Sequence, residues 1–266
     1  MKGSGRRLLM VILSLTFLGS AGMLLHTNLQ YREGTMVYTE AEELVQLPKQ
    51  ELPPVAGQEG EEPEILEGDP HSAADPYAEA LQKMDFAALQ AVNADVLGWI
   101  LIPETRISYP LVQGEDNEYY LDHTWKRSSS SVGAVFLEYR NSRDLCDFHT
   151  IVYGHRMRDG SMFASLKYYD RQAYWEDHPR IYLLDEQGTH AYDIFSAYEA
   201  DVTGDAYQLA FSTTEERQVF LDHCIERSVL ETGIVPAIED QILTLSTCTG
   251  RGHDTRWVVQ AVRSRG

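Results

Sequence analysis

The spacing of hydrophobic and polar residues divides the chain into three regions. A mostly apolar run, Leu8 to Leu25, comes first, and a polar, acidic and proline-containing stretch follows it from about Tyr31 to Pro76. Beyond that point, apolar residues recur at helical spacing or in short alternating segments typical of strands. The pattern predicts an N-terminal segment at residues 1–30, a linker at residues 31–74 and a folded domain at residues 75–266.

Short strands outnumber helices in the predicted domain. Asp75 suits the N-cap of an opening helix and Pro76 its first turn, and a second short helix follows. Alternating segments predict strands at residues 99–103, 107–112, 134–139, 149–155, 180–184 and 190–198, and two more around Cys248. Helices are predicted at Ser161–Tyr169 and Thr213–Ser228, the second just before the last strand pair. This pattern predicts a mainly β fold, a closed or nearly closed barrel with N-terminal helices and helical insertions.

The apolar run near the N-terminus predicts a membrane anchor. It spans about 18 residues, the lower limit for crossing a bilayer as a helix. Basic residues precede it and acidic ones follow, which predicts a single-pass protein with its domain outside the cell. A cleaved signal peptide is the alternative, since Gly19-Ser20-Ala21 offers small residues near a cleavage site. The run exceeds a typical signal-peptide core in length, which favours an uncleaved anchor.

Acidic residues and prolines crowd the predicted linker. Glu59, Glu61, Glu62, Glu64, Glu67 and Asp69 lie among Pro53, Pro54, Pro63 and Pro70. Such a composition buries too little apolar surface to offset chain ordering, so the linker is predicted to be a mobile, self-repelling spacer. The net charge of −19 also argues against nucleic-acid binding, because no basic surface is present to neutralise phosphates.

Three cysteines leave at least one thiol unpaired in any disulfide scheme. A bridge between Cys146 and Cys224 is possible on this count. Cys224, however, shares the core-facing side of a predicted helix with Phe220 and Leu221, which indicates a structural role. Neither the cysteines nor the histidines show the spacing of a metal site, so no metal or cofactor is predicted.

The third cysteine, Cys248, ends a strand and is separated from Arg256 by a short polar loop with Gly250 and Gly252. If the strands before and after this loop run side by side, the thiol and the guanidinium meet at one end of the sheet. A nearby cation favours the nucleophilic thiolate, and a guanidinium can also bind a developing oxyanion. A lone cysteine at such a position is more commonly a small buried hydrophobe.

A histidine in a matching position strengthens the catalytic interpretation. His155 ends the apolar strand Thr150–Gly154 and precedes a polar loop. An imidazole suits proton transfer near neutral pH and can partner a thiolate. His253, in the loop between Cys248 and Arg256, is the main rival for this role.

Seven segments together resemble the sortases, the membrane-anchored cysteine transpeptidases of Gram-positive bacteria. They are Thr244–Cys248 with Arg256 eight residues later, Val92–Ile100, Ile107–Gly114, Asp116–Tyr120, Val135–Arg140, Tyr153–His155 and Asp159–Phe163. The resemblance covers the chain from about Asp75 onward. The form Thr-Leu-Ser-Thr-Cys and the helix before it resemble class B sortases.

The resemblance implies an eight-stranded barrel and assigns roles to five residues. Cys248 would be the nucleophile, His155 the general acid/base and Arg256 the oxyanion stabiliser, with Ser246 and Thr247 lining the substrate groove. Backbone N–H groups after Cys248 would complete the oxyanion site. The expected substrate is a surface protein with a sorting signal resembling NPxTN or NPxTG, cleaved after Thr and transferred to a peptidoglycan amine.

Two other functions remain open on the sequence. An L,D-transpeptidase also combines Cys, His and Arg, although its histidine lies shortly upstream of the cysteine, unlike His155. A non-catalytic, membrane-tethered β-domain with an incidental thiol is the other. One departure from the class B pattern also stands out: Arg156 occupies the position after the histidine, where many relatives have Asn.

Overall fold

Eight strands close into a single barrel. The computed structural model describes residues 13, 16–23, 31–32, 34–42, 75–250 and 254–265. The strands are β1 Val96–Leu101, β2 Ser108–Val112, β3 Val135–Leu137, β4 His149–Tyr153, β5 Arg180–Asp185, β6 Gly188–Asp201, β7 Ile242–Cys248 and β8 Thr255–Arg263. They pair in the order β1-β2-β3-β4-β7-β8-β6-β5 and back to β1. The predicted closed eight-stranded barrel is confirmed.

Helices occupy the N-terminal side of the barrel and two of its connections. They are α1 at residues 34–42, α2 Pro76–Gln82, α3 Phe86–Val92, α4 Gln172–Asp177 and α5 Thr214–Arg227, with 3-10 helices η1 Tyr119–Leu121, η2 Phe163–Asp170 and η3 Asp205–Tyr207. The predicted N-cap Asp75 is present, and Thr213 caps α5. The Asp75 carboxylate accepts from the backbone N–H of Tyr77 at 3.1 Å, and Thr213 Oγ1 accepts from that of Glu216 at 3.1 Å. These side chains satisfy N–H groups that a helix leaves unpaired at its start.

Strand β7 is buried on both faces, which explains its almost continuous run of buried residues. Leu243 and Leu245 belong to the main core inside the barrel. Ile242 instead joins the outer cluster that α5 covers with Phe220, Leu221 and Cys224. Parallel pairing with β4 on one side and antiparallel pairing with β8 on the other complete its backbone hydrogen bonds. The strand is therefore held rigidly up to its last residue, Cys248.

The structure corrects the predicted start of the mobile linker. Residues 34–42 form helix α1, and Tyr38 and Ala41 on this helix are buried in the main core. Trp125 Nε1 donates to the Val37 carbonyl at 3.2 Å, and Lys126 pairs with Glu40 at 2.6 Å. The acidic, proline-rich composition that predicted a spacer belongs to the later part of the stretch, whereas α1 carries apolar residues that pack on the barrel.

Among the residues that the structure describes, no helix is both long and apolar enough to cross a bilayer. Residues 13 and 16–23, within the predicted anchor, are helical. The rest of that anchor and residues 43–74 of the predicted linker lie outside the described residues, as does His253.

Candidate active site

Cys248 and Arg256 face each other across the last pair of strands. The antiparallel register of β7 and β8 pairs them directly. Directly opposed residues in such a pair project to the same face of the sheet, with Cβ atoms roughly 4.5–5.5 Å apart. Both side chains are partly exposed, and Arg256 Nη1 donates to the Thr255 carbonyl at 3.0 Å. The predicted meeting of thiol and guanidinium is therefore present in the backbone register.

His155 arrives beside Cys248 through the other neighbour of β7. The parallel register of β4 and β7 aligns Tyr153 with Ser246. It continues past the end of β4, because Gly154 N–H donates to the Ser246 carbonyl at 3.2 Å and Thr247 Oγ1 donates to the Gly154 carbonyl at 2.7 Å. The next residues along the two strands are His155 and Cys248, and adjacent strands lie about 4.8 Å apart. Three residues distant in sequence thus share one end of the sheet.

The imidazole of His155 is held by the segment that precedes β3. Its Nε2 lies 2.6 Å from the Leu121 carbonyl oxygen, so in this arrangement Nε2 carries the proton and donates it. Gly133 packs directly on the ring: a Cβ added there would lie 2.8 Å from His155 Cδ2. Gly133 also has φ +63, a conformation that favours glycine. The donor role of Nε2 leaves Nδ1 as the nitrogen that can accept a proton.

Ser246 and Thr247 lie on opposite faces of β7. Ser246 shares the face of Cys248, and its Oγ lies 2.8 Å from the hydroxyl of Tyr207. Thr247 pairs with Trp257, which packs against the main core, and its hydroxyl is engaged by Gly154. Of the two residues expected to line a substrate groove, the structure puts Ser246 on the catalytic face and gives Thr247 the task of joining β4 to β7.

Tyr207 is a residue of the site that sequence reasoning missed. It lies on η3 in the connection between β6 and β7, a segment without a periodic pattern. Burial raises the pKa of Tyr207, and the Ser246 hydroxyl and the charges of Arg256 and Cys248 also act on it. Its hydroxyl contacts Ser246, on the face of β7 that Cys248 shares. No sequence signal pointed to it, because the contact depends on how the connection folds back over the sheet.

A buried carboxylate supports the second aromatic residue of this face. Tyr153 stacks with Tyr207 at a ring-centroid distance of 6.4 Å, and its hydroxyl donates to Glu138 at 2.9 Å. Glu138 also accepts from Arg140 Nε and Asn117 Nδ2, each at 2.7 Å. Although burial opposes it, these hydrogen bonds hold the pKa of Glu138 below its usual value. The carboxylate stays charged and holds the hydroxyl of Tyr153 in place.

Charged side chains lie beside the loop that follows Cys248. An added Cβ on Gly250 would lie 2.8 Å from Arg156 Nη1, so the guanidinium of Arg156 covers the start of this loop. Arg156 and Thr249 border a cavity of about 390 Å³. Its charged lining is mixed, with Lys167 and Arg171 beside Asp170 and Glu199.

The other two cysteines take no part in this arrangement. All three cysteines are unpaired, with Cys146 exposed and Cys224 buried, so the possible bridge between them is absent. Burial raises the pKa of Cys224 to about 12, which keeps it a neutral thiol. The predicted structural role of Cys224 agrees with its place on the buried side of α5.

Comparisons with known proteins agree with this geometry. The family model described as Sortase domain matches residues 100–264. Sortase B of Listeria monocytogenes is 36% identical over 160 residues, which are 60% of this chain and 65% of that protein, slightly less than two-thirds of its length.

Two solved structures extend the similarity. Sortase B from B. anthracis in complex with AAEK1 has a TM-score of 0.70 and 30% identity, and the match covers 90% of this chain and 99% of that one. The Staphylococcus aureus sortase B–substrate complex has a TM-score of 0.64 and 31% identity over 68% of this chain and 84% of that chain. The family match spans more than half of the chain and contains all eight barrel strands except the start of β1. The chain belongs to the sortase family of cysteine transpeptidases.

Proposed function

We propose that this protein cleaves a sorting signal after Thr through a thioacyl-enzyme intermediate and transfers the new carboxyl end to a peptidoglycan amine. The observation that carries the proposal is the joint register of β4, β7 and β8. It brings the backbones of His155, Cys248 and Arg256 to the same end of the sheet. The S. aureus relative was solved as a complex with its substrate, which supports substrate binding by this chain.

In the first half-reaction, His155 Nδ1 takes the proton of the Cys248 thiol, and Sγ attacks the carbonyl carbon of the Thr residue in the signal. The carbonyl oxygen becomes an oxyanion, and the guanidinium of Arg256 donates hydrogen bonds to it. His155 protonates the leaving amine as the C–N bond breaks, which leaves a thioester on Cys248.

In the second half-reaction, the acceptor amine attacks the thioester carbonyl. His155 removes a proton from the amine, the C–S bond breaks, and His155 returns that proton to the Cys248 thiolate. One amide is exchanged for another, so the reaction needs no cofactor or redox partner. Transfer outcompetes hydrolysis if the groove favours the amine over water.

The groove for the signal lies on the outer face of β7, beside Ser246 and Tyr207. These two side chains hydrogen-bond each other at 2.8 Å and share the face of Cys248. Tyr153 backs this surface through its stacking on Tyr207. A peptide bound along this face would bring its scissile carbonyl to the end of the strand, where Cys248 lies.

Anchoring at the cell membrane is part of the proposal. The apolar run from Leu8 to Leu25 would hold the chain in the membrane, and the few residues between this run and α1 would connect it to the barrel. A location outside the cell places the site where sorting signals and wall amines both occur.

Trapping the acyl-enzyme tests the proposal. The purified chain is incubated with Thr-Gly and Thr-Asn sorting peptides, with and without triglycine, and intact mass is recorded. We expect an adduct of the N-terminal peptide fragment on Cys248 and a new peptide–triglycine product. Cys248→Ala should form neither, and Arg256→Lys should slow acylation by roughly 100-fold because the bidentate oxyanion contact is lost.

Two results would contradict the assignment. If the folded protein forms no adduct with any of the peptides, the proposed transpeptidase function is wrong. Equal rates for wild type and Arg256→Lys would remove the proposed role of the guanidinium while leaving the thiol chemistry intact.

A further inference from the structure

The position of His155 depends on two supports, one on its ring and one on its backbone. The ring support is the segment before β3: the Leu121 carbonyl accepts from Nε2 at 2.6 Å, and Gly133 packs against Cδ2. The two parts of this segment are joined, because Ala134 N–H donates to the Tyr120 carbonyl at 2.9 Å. Any shift of the segment therefore moves both groups that touch the imidazole.

The backbone support is the start of η2. Phe163 N–H donates to the His155 carbonyl at 2.9 Å. The ring of Phe163 fills the space beside Gly154, where an added Cβ would lie 2.7 Å from Cδ2. The preceding residue, Met162, has φ +54 and is held by Tyr109, whose hydroxyl accepts from its N–H at 2.8 Å.

Tyr38 of helix α1 touches both supports. Its hydroxyl donates to the Gly133 carbonyl at 2.5 Å, in the segment that holds the imidazole. Its ring packs edge-on against Tyr109, at a centroid distance of 5.4 Å, and Tyr109 in turn holds Met162. Tyr38 is only 5% exposed, so both contacts are in the core and shielded from water.

Helix α1 is fixed to the same segment at further points. Trp125 Nε1 donates to the Val37 carbonyl, and Lys126 pairs with Glu40. Gly34 lies against Ser130, where an added Cβ would lie 2.2 Å from Oγ. The helix thus contacts the segment between Trp125 and Gly133 at several points.

We infer that Tyr38 is a positioning residue for His155, and that α1 is a working part of the catalytic centre although it touches no substrate. The inference rests on the proposed role of His155 as general acid/base. A small displacement of a proton-transfer group is costly, since about 1 Å of misplacement can slow a reaction by roughly 100-fold. Loss of the Tyr38 hydroxyl loosens one support and leaves the other.

The test compares Tyr38→Phe with Tyr182→Phe in the full chain. Tyr182 is a matched control, because its hydroxyl also links an N-terminal helix to the barrel, through Asp75 at the start of α2. Ring 1H–13C signals of labelled histidine report the surroundings of His155, with His155→Asn used to assign them. Acylation of Cys248 by a sorting peptide gives kcat and KM.

For Tyr38→Phe we expect shifted His155 ring signals and a kcat about 10-fold lower, with KM within twofold of wild type because the groove is untouched. Tyr182→Phe should change neither. A role of Tyr38 in stability alone predicts the reverse: unmoved ring signals and an unchanged kcat per folded molecule.

Unmoved ring signals in Tyr38→Phe, equal shifts in both variants, or shifts without a change in kcat would each overturn the inference. If wild type forms no acyl-enzyme, the proposed function fails, while the ring signals still decide whether Tyr38 controls the imidazole. Gly133→Ala provides a second variant: its Cβ would meet the Leu121 carbonyl at 2.7 Å and His155 Cδ2 at 2.8 Å. We expect larger ring shifts from it than from Tyr38→Phe, and unmoved signals would contradict the contact.

Discussion

Two histidines stand at opposite ends of the same strand segment and differ in almost every property. His149 begins β4, is 1% exposed, and has both ring nitrogens engaged: Nδ1 with the Gln208 carbonyl and Nε2 with Thr244 Oγ1, each at 2.7 Å. His155 follows the end of β4, is partly exposed, and has a hydrogen bond at Nε2 to the Leu121 carbonyl.

The difference shows that surroundings, and not residue type, decide what an imidazole does. Burial lowers the pKa of His149 to about 4, so the ring is neutral and serves as a bridge between β4, β7 and the connection that carries Tyr207. His155 has one nitrogen fixed as donor and lies at the open end of the sheet, as proton transfer requires. The same fold thus uses one histidine for structure and offers the other for chemistry.

Replacing each histidine tests this contrast most directly, and His155→Ala should have the larger effect. We expect its transfer rate to fall by about 1000-fold, because general acid–base catalysis contributes roughly 100- to 10,000-fold. Its thermal unfolding should change little, since the side chain is partly exposed. Peptide transfer and melting are measured on the same sample, and a rate within tenfold of wild type would contradict the proposed role.

His149→Gln should show the opposite pattern. Loss of well-formed hydrogen bonds in the core should cost about 2 kcal/mol of stability at pH 7.5, with kcat per folded molecule close to wild type. Denaturant unfolding and single-turnover acylation measure the two quantities. If His149→Gln lost most of its kcat without losing stability, His149 would have a chemical role and the proposed difference between the two histidines would be wrong.

The pH dependence of unfolding sharpens the same contrast. The folded pKa of His149 is lowered from 6.5 to about 4, so between these values the unfolded chain binds the additional proton. Stability from the neutral ring is therefore fully present above pH 6.5 and is lost as pH falls toward 4. Between pH 7.5 and 5 the free energy of unfolding of wild type should fall by about 2 kcal/mol more than that of His149→Gln. The difference in stability between the two proteins should therefore narrow by that amount. A difference in stability that stays constant with pH would show that the His149 ring is not held neutral.

The smallest effect is expected from Tyr207→Phe, on the connection that His149 holds in place. Loss of the hydrogen bond to Ser246 should raise KM for the sorting peptide by roughly threefold, equivalent to about 0.6 kcal/mol, with little change in kcat. Tyr198→Phe is the matched control, since its phenol lies under α5, beside Cys224. An equal KM change in both variants would mean that the effect is general to this face of the barrel.

Much of the fold was predictable because its signals are local. Asp75 was predicted as an N-cap from its position before a helical pattern, and it caps α2 in the structure. The strands ending at His155 and Cys248 were predicted from alternation. Family resemblance added the number of strands, which periodicity cannot supply, since closure depends on pairing between distant segments.

Other features escaped prediction for identifiable reasons. Helix α1 was included in the linker because the acidic residues and prolines farther along dominated the composition of the whole stretch. Tyr207 lies in a connection without periodicity. Ser246 and Thr247 are neighbours on β7 that point to opposite faces, and the sequence did not show which of the two faces carries Cys248 outward. Each of these depends on which distant residues the chain meets, and no local pattern encodes that.

The sequence by itself determined the residue types needed for thiol chemistry, the strands and caps that carry them, and the excess of negative charge around them. Only the tertiary structure decided that β4 and β7 pair in parallel with Tyr153 opposite Ser246, and that α1 packs behind the segment that holds His155. The reason is physical: side-chain chemistry and local propensity act over a few residues, whereas register and packing are fixed by contacts between segments tens of residues apart.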